Sequence, residues 1–247
     1  MLIGKTALVT GGSRGIGKAI AIALAIAGAD VAITYREQAD KANAVADEIR
    51  EIGKRCVVLP LDVTQDAEIK VVLAKVAEEI GAPTIIVNNA GIVRDNYLRF
   101  LSRDDWDAVI TTNLTGAFLM CKSSLPPMLR AKWGRIINIS SDAAYVGDIR
   151  RANYSAAKAG LLGLSRALAR EVAGQGITVN SVCPGMIETE MTLDMDETRR
   201  EGLLKGIPRG KFGTPQDVAA LVVFLASPQA EYITGQDISV DGGLHMG

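Results

Sequence analysis

The feature that most restricts the fold of this chain is a set of short aliphatic runs that do not alternate with polar residues. They are TALVT (6–10), DVAITY (30–35), RCVVLP (55–60), TIIVNN (84–89), RIINIS (135–140), ITVNSV (177–182) and DISV (237–240). A strand that is apolar on both sides must be covered on both faces, as in a parallel sheet. Between the runs lie helical patterns, among them residues 40–53, 65–80 and 154–173. Repeated strand–helix–strand order with right-handed crossovers predicts an α/β fold, a doubly wound sheet with helices on both faces. No linker, repeat or low-complexity stretch divides the 247 residues, so one domain is expected.

Composition narrows the functional classes. The net charge is −1, which gives no footing for nucleic acid or an anionic membrane surface. Cys56, Cys121 and Cys183 are scattered and form no CxxC pair, so neither a disulfide framework nor a metal site is expected. Reduced core thiols and a cytoplasmic location are the expectation. The longest apolar stretch, AIAIALAIAGA (19–29), is too short to span a bilayer and reads as a buried helix.

In open α/β sheets ligands bind beyond the carboxyl ends of the strands. Those ends run here into GGSRGIG, LDVT, AGI, SDAA and CPG, all small, polar or glycine-containing. The first of these, TGGSRGIGKA (10–19), admits two readings. A phosphate loop of nucleotide hydrolases needs Ser or Thr after Gly17-Lys18 to hold magnesium, and the chain has Ala19 there. The alternative is a dinucleotide turn: Gly11, Gly15 and Gly17 allow a tight turn and close approach of a pyrophosphate to a helix N-terminus. Beyond the second strand stand Tyr35 and Arg36, with Arg14 in the loop; Asp30 lies at the other end. Two arginines and no carboxylate at that tip favour NADP(H), with NAD(H) as the alternative.

General acid chemistry cannot rest on imidazole, because the single histidine, His245, lies in the tail and reads as a loose end. Tyr154 and Lys158 are four residues apart at the start of a helix, on one face. They follow a strand that ends in Ser140 and Ser141. A phenol acting near neutrality needs its pKa lowered by about 3 units, which a neighbouring ammonium and a nicotinamide cation would supply. The charged stretch 187–213 interrupts the rhythm at the C-terminal end of a strand and is expected to form a substrate lid.

Together TGGSRGIG, LDVT, NNAG (88–91), Ser141, YSAAK (154–158) and CPGMIET (183–189) resemble the short-chain dehydrogenase/reductase family along the whole chain. That resemblance implies a single Rossmann-type domain with seven parallel strands, commonly in a homotetramer. It implies Tyr154 as acid/base and Lys158 as the ligand of the nicotinamide ribose that lowers the tyrosine's pKa. It also implies Ser141 as the donor to the substrate carbonyl, with Ser140 as its rival, and Asn113 as the holder of a relay water. Gly11, Ser13, Arg14, Gly15, Ile16 and Gly17 would seat the dinucleotide, with Arg36 beside it. Asp62 and Val63 would meet the adenine, Asn89, Ala90 and Gly91 would line the cofactor, and Pro184, Gly185, Ile187 and Thr189 would meet its nicotinamide end.

Within the family, GRIINISS, ANYSAAKAG, AREVAGQGITVN and PRGKFGTPQDVA are similar to bacterial 3-oxoacyl-[acyl-carrier-protein] reductases. This implies reduction of a 3-oxoacyl thioester, on acyl carrier protein or CoA, to the 3-hydroxy form. Another ketone, alcohol or sugar, or a non-catalytic nucleotide-binding role, is the alternative. Lys132 stands where a carrier-docking base is expected, whereas Gln175 replaces a second one; Arg150 and Arg151 are substitutes.

Overall fold

The computed structural model describes residues 1–190 and 196–246. Seven strands form one parallel sheet in the order β3-β2-β1-β4-β5-β6-β7. They are β1 (Thr6–Val9), β2 (Asp30–Tyr35), β3 (Cys56–Pro60), β4 (Ile85–Asn88), β5 (Gly134–Ile139), β6 (Ile177–Pro184) and β7 (Asp237–Val240). All seven expected runs form strands. The main shift is at β6, which continues through Cys183 and Pro184 because both pair with β7.

Alternation of side chains along each strand splits the core in two. Ala7, Val9, Ile85, Val87, Ile137 and Ile139 face helices α1 (Gly15–Ile26), α2 (Ala39–Glu51) and Pro215–Ala226. Leu8, Ile86, Ile136 and Val179 face α3 (Asp66–Ile80), α5 (Gly116–Ala131) and α7 (Ala152–Val172). The stretch 19–29 is indeed a buried helix: Ile20, Ala21, Leu24 and Ala25 of α1 are fully enclosed. All three cysteines are buried and free. Among the described residues, no helix is long and apolar enough to cross a membrane.

Two features prepare the site. The order of strands reverses between β1 and β4, opening a crevice at their carboxyl ends, where α1 starts. Helix α4 (Arg103–Ile110) runs into α5 through a π-helical turn, Thr111–Thr115, that carries Asn113 inward. Such a widened turn inside a helix frequently marks a functional position.

The long excursion is fastened at its base. Ile187 bridges Gly213; Glu188 N–H donates to Gly213 O at 2.8 Å, and Gly213 N–H to Met186 O at 2.9 Å. Within it, Glu197–Lys205 is helical, and part of the stretch lies outside the described residues.

Candidate active site

The glycine loop is shaped by contacts that leave no room for side chains. A Cβ on Gly17 would lie 2.2 Å from Gly11 O, so α1 packs directly on the end of β1. Gly11 and Gly15 have φ of 65° and 53°, the left-handed region that glycine enters without strain. Asn89 holds the loop from β4: its amide donates to Thr10 O at 2.9 Å and Gly11 O at 3.0 Å. Thr10 Oγ1 accepts in return from Asn89 N–H and Ala90 N–H, both at 3.0 Å. Asn89 and Ala90 therefore act first as struts for the loop.

Helix α1 begins at Gly15 with no side-chain cap from Arg14 and no acidic residue in its first turn. Its first N–H groups are thus available to an anion. The space a Cβ on Gly15 would fill lies 3.6 Å from Thr189 Cγ2, so Gly15 and Thr189 face each other across the cradle. Ser13 and Ile16 are half-buried on the loop itself. This geometry fits a dinucleotide pyrophosphate.

Further along the edge, Arg36 Nη2 lies 3.6 Å from Asp62 Oδ2 and is 60% exposed, free to turn outward. Burial pushes the Asp62 carboxyl up, but hydrogen bonds from Thr64 N–H (3.0 Å) and Oγ1 (2.8 Å), together with Arg36, hold it below the usual range. The Val63 side chain is buried against Gly116, where a Cβ would come within 2.7 Å of it. Arg14 Nη1 is 3.9 Å from Glu190, which also takes both 2.9 Å bonds from Lys41.

At the outlets of β4, β5 and β6 the remaining candidates converge. Tyr154 is seated by Asn153, whose Oδ1 accepts from Tyr154 N–H at 2.8 Å while its amide donates to Arg94 O and Asp105 O. Lys158 Nζ lies 5.5 Å from the Tyr154 ring centroid and donates to Ile139 O at 2.7 Å. Burial drives its ammonium down to about 8. Ser140 donates to Lys158 O at 2.8 Å, pointing inward, whereas the Ser141 hydroxyl is close enough to the Tyr154 phenol to stabilise its ionised form. The two neighbours thus point apart.

The phenol itself departs from expectation. Burial raises the Tyr154 pKa, Ser141 and Arg151 draw it back, and Asp142 and Asp148 raise it further. In the protein alone the tyrosine is held protonated.

Asn113 uses its whole side-chain amide on Ile92: Oδ1 accepts from Ile92 N–H at 2.8 Å and Nδ2 donates to Ile92 O at 2.9 Å. A Cβ on Gly91 would meet Asn113 Oδ1 at 3.2 Å, so the 91–92 turn lies flat on it. Pro184 and Gly185 form the outlet of β6. Pro184 O accepts from Asp142 N–H at 3.0 Å, and Gly185 N–H donates to Val240 O at 3.1 Å. Ile187 is buried; Ile187 and Thr189 follow on the way into the excursion.

Two residues, His245 and Asp142, were misjudged or missed from sequence. His245 is no loose end: its ring stacks on Tyr145 at 4.3 Å and 4° between planes, and its main-chain N–H donates to Asp241 Oδ2. Tyr145 in turn accepts from Cys183 Sγ at 3.6 Å, and that thiol is buried and free, as expected. Asp142 is bonded to Ser141 and carries no sequence motif that would single it out. Lys132 caps α5 beside Gly134 and Gly176, at the amino ends of β5 and β6. Tyr154 is at the carboxyl end, roughly 20 Å away along β5.

Comparison with known proteins agrees with this architecture. Residues 11–245 match the family model described as enoyl-(acyl carrier protein) reductase. The chain is 45% identical over 246 residues to the 3-oxoacyl-[acyl-carrier-protein] reductase FabG of Staphylococcus aureus, covering 100% of both chains. It is 46% identical over 245 residues to the proteins of that name from Pseudomonas aeruginosa and Vibrio harveyi, covering 99% of each chain. With a parallel seven-stranded sheet, a glycine loop at its switch point and Tyr154-Lys158 on one helix face, the chain belongs to the short-chain dehydrogenase/reductase family of oxidoreductases.

Proposed function

We propose that this protein is an NADP(H)-dependent reductase of 3-oxoacyl thioesters, working in the cytoplasm as a single catalytic domain. The observation that carries the reading is the meeting of Ser141, Tyr154 and Lys158 at the strand outlets beside the glycine loop. A nicotinamide dinucleotide, when bound, supplies the hydride. Gly11, Ser13, Gly15, Ile16 and Gly17 seat its pyrophosphate on the α1 N-terminus, and Arg14 and Arg36 take the extra phosphate of NADP. The backbone at Asp62, Val63 and Gly91 and the Pro184–Thr189 stretch bound the rest of the cleft.

Tyr154 is the proton donor. Its raised pKa keeps the phenol protonated at neutral pH, the state that ketone reduction consumes. Ser141 turns its hydrogen to the carbonyl oxygen and polarises it. Lys158 has a pKa near 8, so it is cationic at neutral pH and lies close enough to stabilise the phenolate left after proton transfer. The Asn113 side chain is spent on Ile92, so its main-chain carbonyl in the widened turn is the group left to hold a relay water.

Two hydroxyls aimed at one oxygen suit a ketone better than the carbon–carbon double bond named by the family model's description. The excursion 187–213 is read as the cover of the acyl group. Arg150, which lies over the Tyr97 ring at 5.6 Å on the Tyr154 edge, is the better carrier contact within one chain than Lys132. A homotetramer, the arrangement common in the family, would bring further surfaces together. The test is a panel of 3-oxoacyl and enoyl thioesters on acyl carrier protein and CoA, with simple ketones and sugars, each with NADPH and NADH. Fastest oxidation of NADPH by a 3-oxoacyl thioester supports the reading; preference for the enoyl substrate or for sugars overturns it.

A further inference from the structure

Next to Ser141 stands a carboxylate that the mechanism above does not use. Asp142 Oδ1 accepts from Ser141 Oγ at 2.8 Å and from Ala143 N–H at 2.8 Å. Its own N–H is fixed to Pro184 O at 3.0 Å, so the residue is held from both sides. Ser141 has one hydrogen to donate; Asp142 takes it here, and a bound carbonyl would draw it away. Ser141 Oγ also accepts from Ala143 N–H at 3.2 Å, so the two contacts together set its rotamer. Asp142 also lies near enough to Tyr154 to act on it by charge.

We propose that Asp142 is a positioning residue of the reductase site: it holds the Ser141 rotamer and sets a carboxylate one hydrogen bond behind the serine that serves Tyr154. This rests on the reading of Tyr154 as proton donor. The groups facing the pair come from several elements. Tyr154 is met by Ser141 and Asp142 from the β5 outlet, by Asp148 from the turn after α6 (Ala143–Val146), by Arg151 before α7, and by Lys158 one helical turn on. Asp142 is met by Asp148 and by Asp241 beyond β7. Of the two partners of Ser141 Oγ, Asp142 Oδ1 and Ala143 N–H, Asp142 carries the charge.

Two variants separate the parts. Asp142→Asn keeps an oxygen for Ser141 and Ala143 but removes the charge; Asp142→Ala removes both. Each is read in two ways: by ultraviolet titration of the Tyr154 phenolate, taken as the difference from a Tyr154→Phe background, and by the pH profile of NADPH oxidation with a 3-oxoacyl-CoA. The phenol midpoint should fall by roughly one pH unit in both variants, since a nearby anion is gone. In the reductive direction the loss of rate at high pH should then begin about as much earlier. Turnover at neutral pH should stay within about threefold of the parent in Asp142→Asn and fall at least about tenfold in Asp142→Ala. An unmoved phenol midpoint in Asp142→Asn overturns the charge role, and equal turnover in the two variants overturns the positioning role. Because the titration needs no substrate, absence of reductase activity in the parent would count against the proposed function while leaving the Asp142–Tyr154 link tested by itself.

Discussion

Ser140 donates its hydroxyl to the main-chain carbonyl of Lys158 across 2.8 Å, which ties the end of β5 to the helix that carries Tyr154. The neighbouring Ser141 faces the phenol instead. Substitution of the two serines should therefore have opposite signatures. Ser141→Ala should lower kcat by about 10²–10³-fold, as loss of one donor to a developing oxyanion does, with the melting temperature nearly unchanged. Ser140→Ala should cost about 1 kcal/mol of stability and less than about tenfold in rate. Steady-state kinetics with thermal melts of both variants checks this.

Tyr154→Phe keeps the ring and removes the proton. Turnover should fall by about 10²–10⁴-fold or more, with NADPH binding within a few-fold of the parent when measured by fluorescence. Parent-like turnover would remove Tyr154 from the role given to it.

Lys158 makes stability depend on pH in a stated direction. Its folded pKa of about 8 lies below the ordinary 10.5, so the fold binds fewer protons than the unfolded chain between those values. Burying the ammonium costs about 3 kcal/mol below pH 8, and that cost is relieved as pH rises toward 10.5. Relative to Lys158→Met, the parent should gain stability across this window, read as convergence of their urea midpoints. A gap that stays constant from pH 7 to 10.5 would contradict the buried, depressed lysine.

Gly17 tests the cradle without touching any reacting group. A methyl there would overlap Gly11 O and crowd Asn89 Nδ2 at 2.5 Å, and neither can move without opening the loop. Gly17→Ala should destabilise the fold by roughly 3 kcal/mol and weaken binding of both NADPH and NADH. Calorimetric titration of the two cofactors is the check.

Arg14 and Arg36 bear on the choice between those cofactors. Arg36→Ala and Arg14→Ala should each raise KM for NADPH about tenfold and leave that for NADH nearly unchanged, as loss of a charge-assisted phosphate contact requires. Equal effects on both cofactors would place the arginines outside the phosphate site.

The sheet was readable from sequence because a parallel strand covered on both faces must be apolar at nearly every position, and Ala7 to Val9 or Ile85 to Val87 are. The Tyr154-Lys158 pair was readable because helical spacing fixes which side chains share a face. What escaped depends on contacts between segments distant in the chain. That Val63 packs under Gly116, that His245 stacks on Tyr145, and that Lys132 sits at the far edge are each decided by a partner 50 or more residues away or by the direction of a strand. Asp142 escaped for another reason. It follows Ser141 directly, but an acidic residue after a strand reads as an ordinary helix cap, which it also is.

The bridge between Ile187 and Gly213 decides where the excursion can change. The chain leaves the sheet at that clasp and comes back to it, and Arg209 N–H ties the returning leg to Gly242 O beyond β7 at 3.1 Å. A change of wording between these fastenings would leave all seven strands untouched, whereas a change at Ile187, Gly213 or Arg209 would loosen the whole excursion at once.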